Sequence, residues 1–148
     1  MKFIEQLKER AKQNKKKIVL PETSDMRTIE AAGKVLAEGI ADIILVGDKE
    51  DIISRAGDID LSRASFVDPE NYDKFDEYVD AFVEMRRKKG MTPARAKELL
   101  LTNPLYFGCM MVKQDDADGM VAGAINASAD VLRAALPVSY THLRAHET

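Results

Sequence analysis

Apolar residues at Phe3, Ile4, Leu7 and Ala11 recur at spacings of three and four. That period predicts an amphipathic first helix lying on a body that shields its stripe. Its other face carries Lys8, Arg10, Lys12, Lys15, Lys16 and Lys17, interleaved with Glu5 and Glu9, the pattern of a solvated helix face. Ile18, Val19 and Leu20 then form a short buried-strand signal that Pro21 stops, because proline has no N–H to give to a ladder. With Ser24 as N-cap, a helix is predicted from about Asp25 to Glu38, its apolar face running through Met26, Ile29, Gly33 and Leu36, before Gly39. Ile40 and the run from Ile43 to Val46 predict a strand covered on both faces. Strand, helix, strand is the βαβ unit of a parallel sheet.

Gly47-Asp48 turns the chain into a short helix through Ile52, Ile53 and Ala56, and Ser65, Phe66 and Val67 predict another brief strand. Asp68-Pro69, Thr92-Pro93 and Asn103-Pro104 each set a capping side chain before a proline at the first helical position, predicting three helices. The first would carry Tyr72, Phe75, Val79, Phe82 and Val83 on one stripe, and the last Phe107, Met110 and Met111. A strand from Gly119 to Ala124 and a helix from Ser128 to about Leu136 complete the pattern. With no internal repeat and no Gly/Ser-rich linker, a single α/β unit is expected.

Composition agrees. A chain of 148 residues that is 45% hydrophobic and 32% charged suits one globular domain. A net charge of -3 and a pI near 5.5 argue against nucleic acid as a partner. No apolar run approaches the roughly 18 residues that a membrane span needs. The lone Cys109 cannot form an internal disulfide, which points to a reducing, cytoplasmic setting. Both histidines, His142 and His146, fall in the last stretch. The body therefore offers no histidine to a Ser-His-Asp or Cys-His pair, or to zinc. Cys109 sits among Phe107, Met110 and Met111 and reads as a small buried hydrophobe. Asp115, Asp116 and Asp118 read as a solvated acidic turn, and neither a Rossmann nor a Walker glycine pattern is present.

Two places could hold an anion. Small residues after the last strand, followed by a helix start, would bring free N–H groups and a positive dipole end together, with further donors from Asn126 and Ser128. Arg133, five residues beyond Ser128, could fold back to the same point. Spacing alone fits an ordinary N-cap at Ser128 equally well. Arg86 continues the stripe Phe75, Val79, Phe82, Val83 in register and should lean toward the body. It too has an ordinary reading, as a basic helix end with Arg87, Lys88 and Lys89 whose stem covers apolar surface.

The strings I-V-L-P-E-T-S-D-M-R-T from Ile18 to Thr28, G-I-A-D-I-I-L-V-G from Gly39 to Gly47, then D-G-M-V-A-G-A and S-A-D-V-L-R, resemble the N-terminal half of the phosphate acetyltransferases. The resemblance runs from Met1 to about Leu136. It implies acetyl transfer between coenzyme A and inorganic phosphate, giving acetyl phosphate, without metal or a tightly bound cofactor. It implies a three-layer, parallel or mixed sheet like that of the isocitrate and isopropylmalate dehydrogenases, here as an incomplete first domain over residues 1–137, from a homodimeric parent. It also implies that Arg86 and Arg133 engage coenzyme A phosphates, as arginine's planar fork suits. The turn Asn126 to Ser128 would line the phosphate cleft. The reacting aspartate, arginine and serine would come from the second half, so the fragment itself is expected to be inactive. The related phosphate butyryltransferases are one alternative, against which the L-P-E-T turn at Leu20 to Thr23 argues; a non-catalytic α/β binding domain is another. Ala134 stands where the family usually has proline, and residues 138–148 match nothing in it and read as a foreign tail.

Overall fold

The computed structural model describes residues 2–127, 129–131 and 133–135. Four parallel strands, β1 (Lys17–Leu20), β2 (Asp42–Val46), β3 (Ser65–Val67) and β4 (Gly119–Met120), form one sheet in the order β3-β2-β1-β4. Register runs Ile18 to Ile43 and Leu20 to Leu45 across β1 and β2, and Val19 to Met120 across β1 and β4.

The side-chain alternation of the strands divides the core into two layers. Leu20, Ile43 and Leu45 meet Ile29, Ala32 and Leu36 of α2 (Met26–Glu38) and Ile52 and Ala56 of α3 (Lys49–Ala56). Val19, Ile44 and Val46 face the other way. They pack with α4 (Phe75–Met85), α5 (Pro93–Thr102) and α6 (Pro104–Lys113), where Tyr78, Phe82, Leu100, Phe107 and Met110 are fully buried. Helices on both faces of a parallel sheet confirm the α/β class expected from the uninterrupted apolar run of β2. Gly108 lets α6 approach the sheet: a Cβ there would stand 2.7 Å from Met120 Sδ and 3.5 Å from Pro21 Cβ.

Several local expectations change. Asp25, not Ser24, caps α2, its Oδ1 accepting the Arg27 N–H at 2.8 Å. Thr92 and Asn103 cap α5 and α6 as expected, each before its proline. Asp68-Pro69 starts only a 3-10 turn over Pro69–Asn71, after which Tyr72 is extended and α4 begins at Phe75. From that position the Tyr72 ring packs edge-on against Tyr78 and Phe107, at centroid distances of 5.3 and 5.6 Å. β4 ends at Met120 and not at Ala124.

In the acidic turn Asp115 and Asp118 are exposed, as expected of a solvated turn, while Asp116 is half-buried and the turn also tethers neighbouring elements. Asp116 accepts from Lys74 Nζ at 2.6 Å and from the Tyr78 hydroxyl at 2.5 Å, and Asp118 accepts the Lys17 N–H at 2.8 Å. Burial raises the Asp116 carboxyl, but these donors outweigh it and hold the group below its ordinary value. Cys109 is buried, and burial pushes its thiol up to about 11. The first helix, α1 (Lys2–Gln13), forms but buries none of its residues. Phe3 is 69% exposed, so among the described residues no body shields its stripe. The predicted tail, residues 138–148, lies outside the described residues.

Candidate functional site: a cleft at the carboxyl ends of β1, β2 and β3

From β1 the chain winds outward through α2 to β2 and α3 to β3, then returns through α4, α5 and α6 to pair β4 on the other side of β1. The connections therefore diverge between β1 and β4, and in such sheets the loops beyond the strand ends part there and leave a crevice. A cleft of about 380 Å³ opens at this edge, bordered by Glu22, Thr23, Gly47, Pro104, Ile125 and Asn126 among others. Asp68 and Glu70 also line it.

Glu22 follows β1 directly and is 4% exposed. Its Oε1 accepts the N–H groups of Gly123 and Ala124 at 2.6 and 2.9 Å; Oε2 accepts those of Ile125 and Asn126 at 3.1 and 2.9 Å and the Asn126 Nδ2 at 2.8 Å. Burial works to raise this carboxyl, but the Asn126 and neighbouring backbone donors overcome it and bring its pKa from 4.5 down to about 2. Gly123, at φ 120°, supplies a backbone turn that a side chain would rarely adopt. Arg27 secures the same loop from its carbonyl side. Its guanidinium forks onto Asp25 and donates through Nη2 to the Ala124 carbonyl at 2.6 Å. Thr23 Oγ1 donates to the Val46 carbonyl at 2.6 Å, joining the ends of β1 and β2.

The turn after β4 gathers the N–H groups of Gly123 to Asn126, and these are bonded to the protein's own carboxylate. Asn126 borders the cleft. Arg133, on the helical turn that follows, is 70% exposed and pairs with Asp130 at 2.7 Å. Arg86 is the half-buried C-cap of α4, not one of the cleft's lining residues. Ser128 lies outside the described residues. Glu22, Thr23 and Arg27 were not singled out by sequence reasoning. The available signal was a carboxylate placed directly after a buried strand and its proline.

A parallel sheet wound both ways from β1, with helices on both faces and a crevice where the winding reverses, defines a doubly wound α/β domain with a cleft at its switch point. Residues 2–143 match the phosphate acetyl/butaryl transferase family, and the chain belongs to it. It is 50% identical over 141 residues to the phosphate acetyltransferase of Thermoanaerobacterium thermosaccharolyticum, covering 95% of this chain and 43% of that protein. Identity to the Acetivibrio thermocellus phosphate acetyltransferase is 48%, over 95% of this chain and 42% of the relative. The solved phosphotransacetylase of Streptococcus pyogenes superposes with a TM-score of 0.83 at 35% identity, over 93% of this chain and 42% of that one. The EutD phosphotransacetylase of Staphylococcus aureus gives 0.79 at 36% identity, over 89% and 40%. The chain therefore spans about two-fifths of the length of these relatives.

Proposed function

We propose that this chain supplies the N-terminal α/β domain of a phosphate acetyltransferase and contributes one wall of its substrate cleft. The observation that carries the reading is the 50% identity across 141 residues to a protein of that name. In the reaction a phosphate oxygen attacks the thioester carbonyl of acetyl-coenzyme A. Collapse of the tetrahedral adduct breaks the C–S bond, the thiolate leaves and takes up a proton, and acetyl phosphate and coenzyme A result. Such a step needs the two substrates held in line and the developing oxyanion met by donors. On this reading Arg86 and Arg133 engage coenzyme A phosphates, Asn126 and Ser128 line the cleft, and the reacting groups come from the part of the longer enzyme that this chain does not span. No nicotinamide or metal is required. Among the described residues no helix is long and apolar enough to cross a membrane. The parent would be a cytoplasmic homodimer whose first domain resembles that of the isocitrate and isopropylmalate dehydrogenases, completed by further chain.

A chimera tests this: residues 1–135 of this chain replace the matching segment of the Thermoanaerobacterium enzyme. It should form acetyl phosphate from acetyl-coenzyme A and phosphate. Arg133→Ala should raise KM for acetyl-coenzyme A about tenfold or more, as expected for loss of a charge-assisted phosphate contact. An inactive chimera overturns the acyl-transfer reading, and an unchanged KM removes Arg133 from it.

A further inference from the structure

We propose that Glu22 is the positioning residue of the cleft: an internal anion that fills the donor nest after β4 and fixes Asn126 so that its Oδ1 is the atom offered to substrate. This rests on the acyl-transfer reading for its kinetic consequence, though not for its geometry. Converging N–H groups of successive residues form a concavity that binds anions. Here four consecutive N–H groups, from Gly123 to Asn126, meet one carboxylate that lies 101 to 104 residues away in sequence. The nest is therefore filled from inside the protein.

The consequence for Asn126 follows from donor and acceptor chemistry. An ionised carboxylate only accepts hydrogen bonds, so the Asn126 amide must present Nδ2 to Glu22 Oε2, as it does at 2.8 Å. Its Oδ1 is then directed away from Glu22, and Asn126 is one of the residues bordering the cleft. The side chain expected to give a donor to an anion instead offers an acceptor, suited to an N–H, O–H or S–H of the substrate. Substrate phosphate finds no unspent N–H at residues 123–126, and the carboxylates of Asp68 and Glu70 among the lining residues repel it further. Phosphate recognition must then fall to side chains outside this nest.

The same chimera provides two readouts. Glu22→Gln keeps the size but sets an NH2 group against N–H donors. Hydrogen exchange of the peptide spanning residues 121–127 should accelerate at least about tenfold, with a β2 peptide unchanged as control. kcat/KM for acetyl-coenzyme A should fall about 10²-fold, the scale of a misplacement near 1 Å. In an Asn126→Ala background the same substitution should change kcat/KM by less than about threefold, because coupled residues lose their effect together. Glu22→Asp, which keeps the charge but withdraws it by one methylene, should fall between and serves if Glu22→Gln does not fold. Unchanged exchange, or multiplicative kinetic losses in the double variant, overturns the proposal while leaving an active chimera's acyl transfer intact. An inactive unsubstituted chimera overturns the acyl-transfer reading and the kinetic role with it.

Discussion

At Glu22, charge and burial are reconciled by donors alone. A carboxylate at 4% exposure would ordinarily favour its neutral form, yet hydrogen bonds from the Asn126 N–H and Nδ2 and from the Ala124 and Gly123 N–H groups bring its pKa from 4.5 to about 2. A group whose folded pKa is depressed contributes stability that is fully present above the unfolded value and is lost as pH falls through the folded one. The stabilisation should therefore fade between about pH 4.5 and about pH 2. Urea unfolding at fixed protein concentration should show Glu22→Gln destabilised at pH 6, with the difference from the unsubstituted chain shrinking toward pH 3. An equal difference at both pH values would contradict the ionised, donor-held state. The sequence marks Glu22 only by its place directly after a buried strand and its proline, and neither its burial nor its ionised state is legible from that. Its burial depends on a loop more than a hundred residues further on. Asn126 was legible because small residues after a strand announce close backbone approach, although the direction in which its amide faces was not.

Among the elements, those whose signal is local came through. α5 and α6 start where Thr92-Pro93 and Asn103-Pro104 place them, and β2 lies in its apolar run. Departures occur where tertiary contacts compete with the local pattern. Tyr72 stays extended with its ring on Tyr78 and Phe107, and the chain beyond Val121 leaves the sheet to bond Glu22. α1 shows what periodicity leaves open: it marks which face is apolar, not what covers it. Lys8 pairs with Glu38 of α2 at 2.7 Å, while Phe3, Ile4 and Leu7 remain exposed. Phe3→Ser should accordingly change the stability of this chain by no more than about 0.5 kcal/mol, as for other surface positions. Phe107→Ala, emptying a fully buried site between α6 and the aromatic cluster, should cost about 3–5 kcal/mol. Chemical denaturation of both variants checks the contrast, and a comparable loss at Phe3 would show that the α1 stripe is covered in solution.

For the whole molecule, exposed apolar residues gather most densely on two segments of the chain. Phe3, Ile4 and Leu7 lie along α1, and Val121 and Ile125 follow β4, the two-residue strand at one edge of the sheet. Exposed apolar residues beside an open sheet edge favour association, because burying them against another surface removes them from water. Relatives that are more than twice as long have further chain with which to cover such positions. The isolated 148-residue chain should therefore associate. Sedimentation velocity should show mass rising with concentration above the 16.5 kDa of a single chain, and Phe3→Lys with Val121→Lys should reduce that rise. The same sample should form no acetyl phosphate above a buffer blank. A monomer at every concentration would mean that these apolar positions are covered within one chain, and turnover by the pure chain would place the reacting groups inside its own residues.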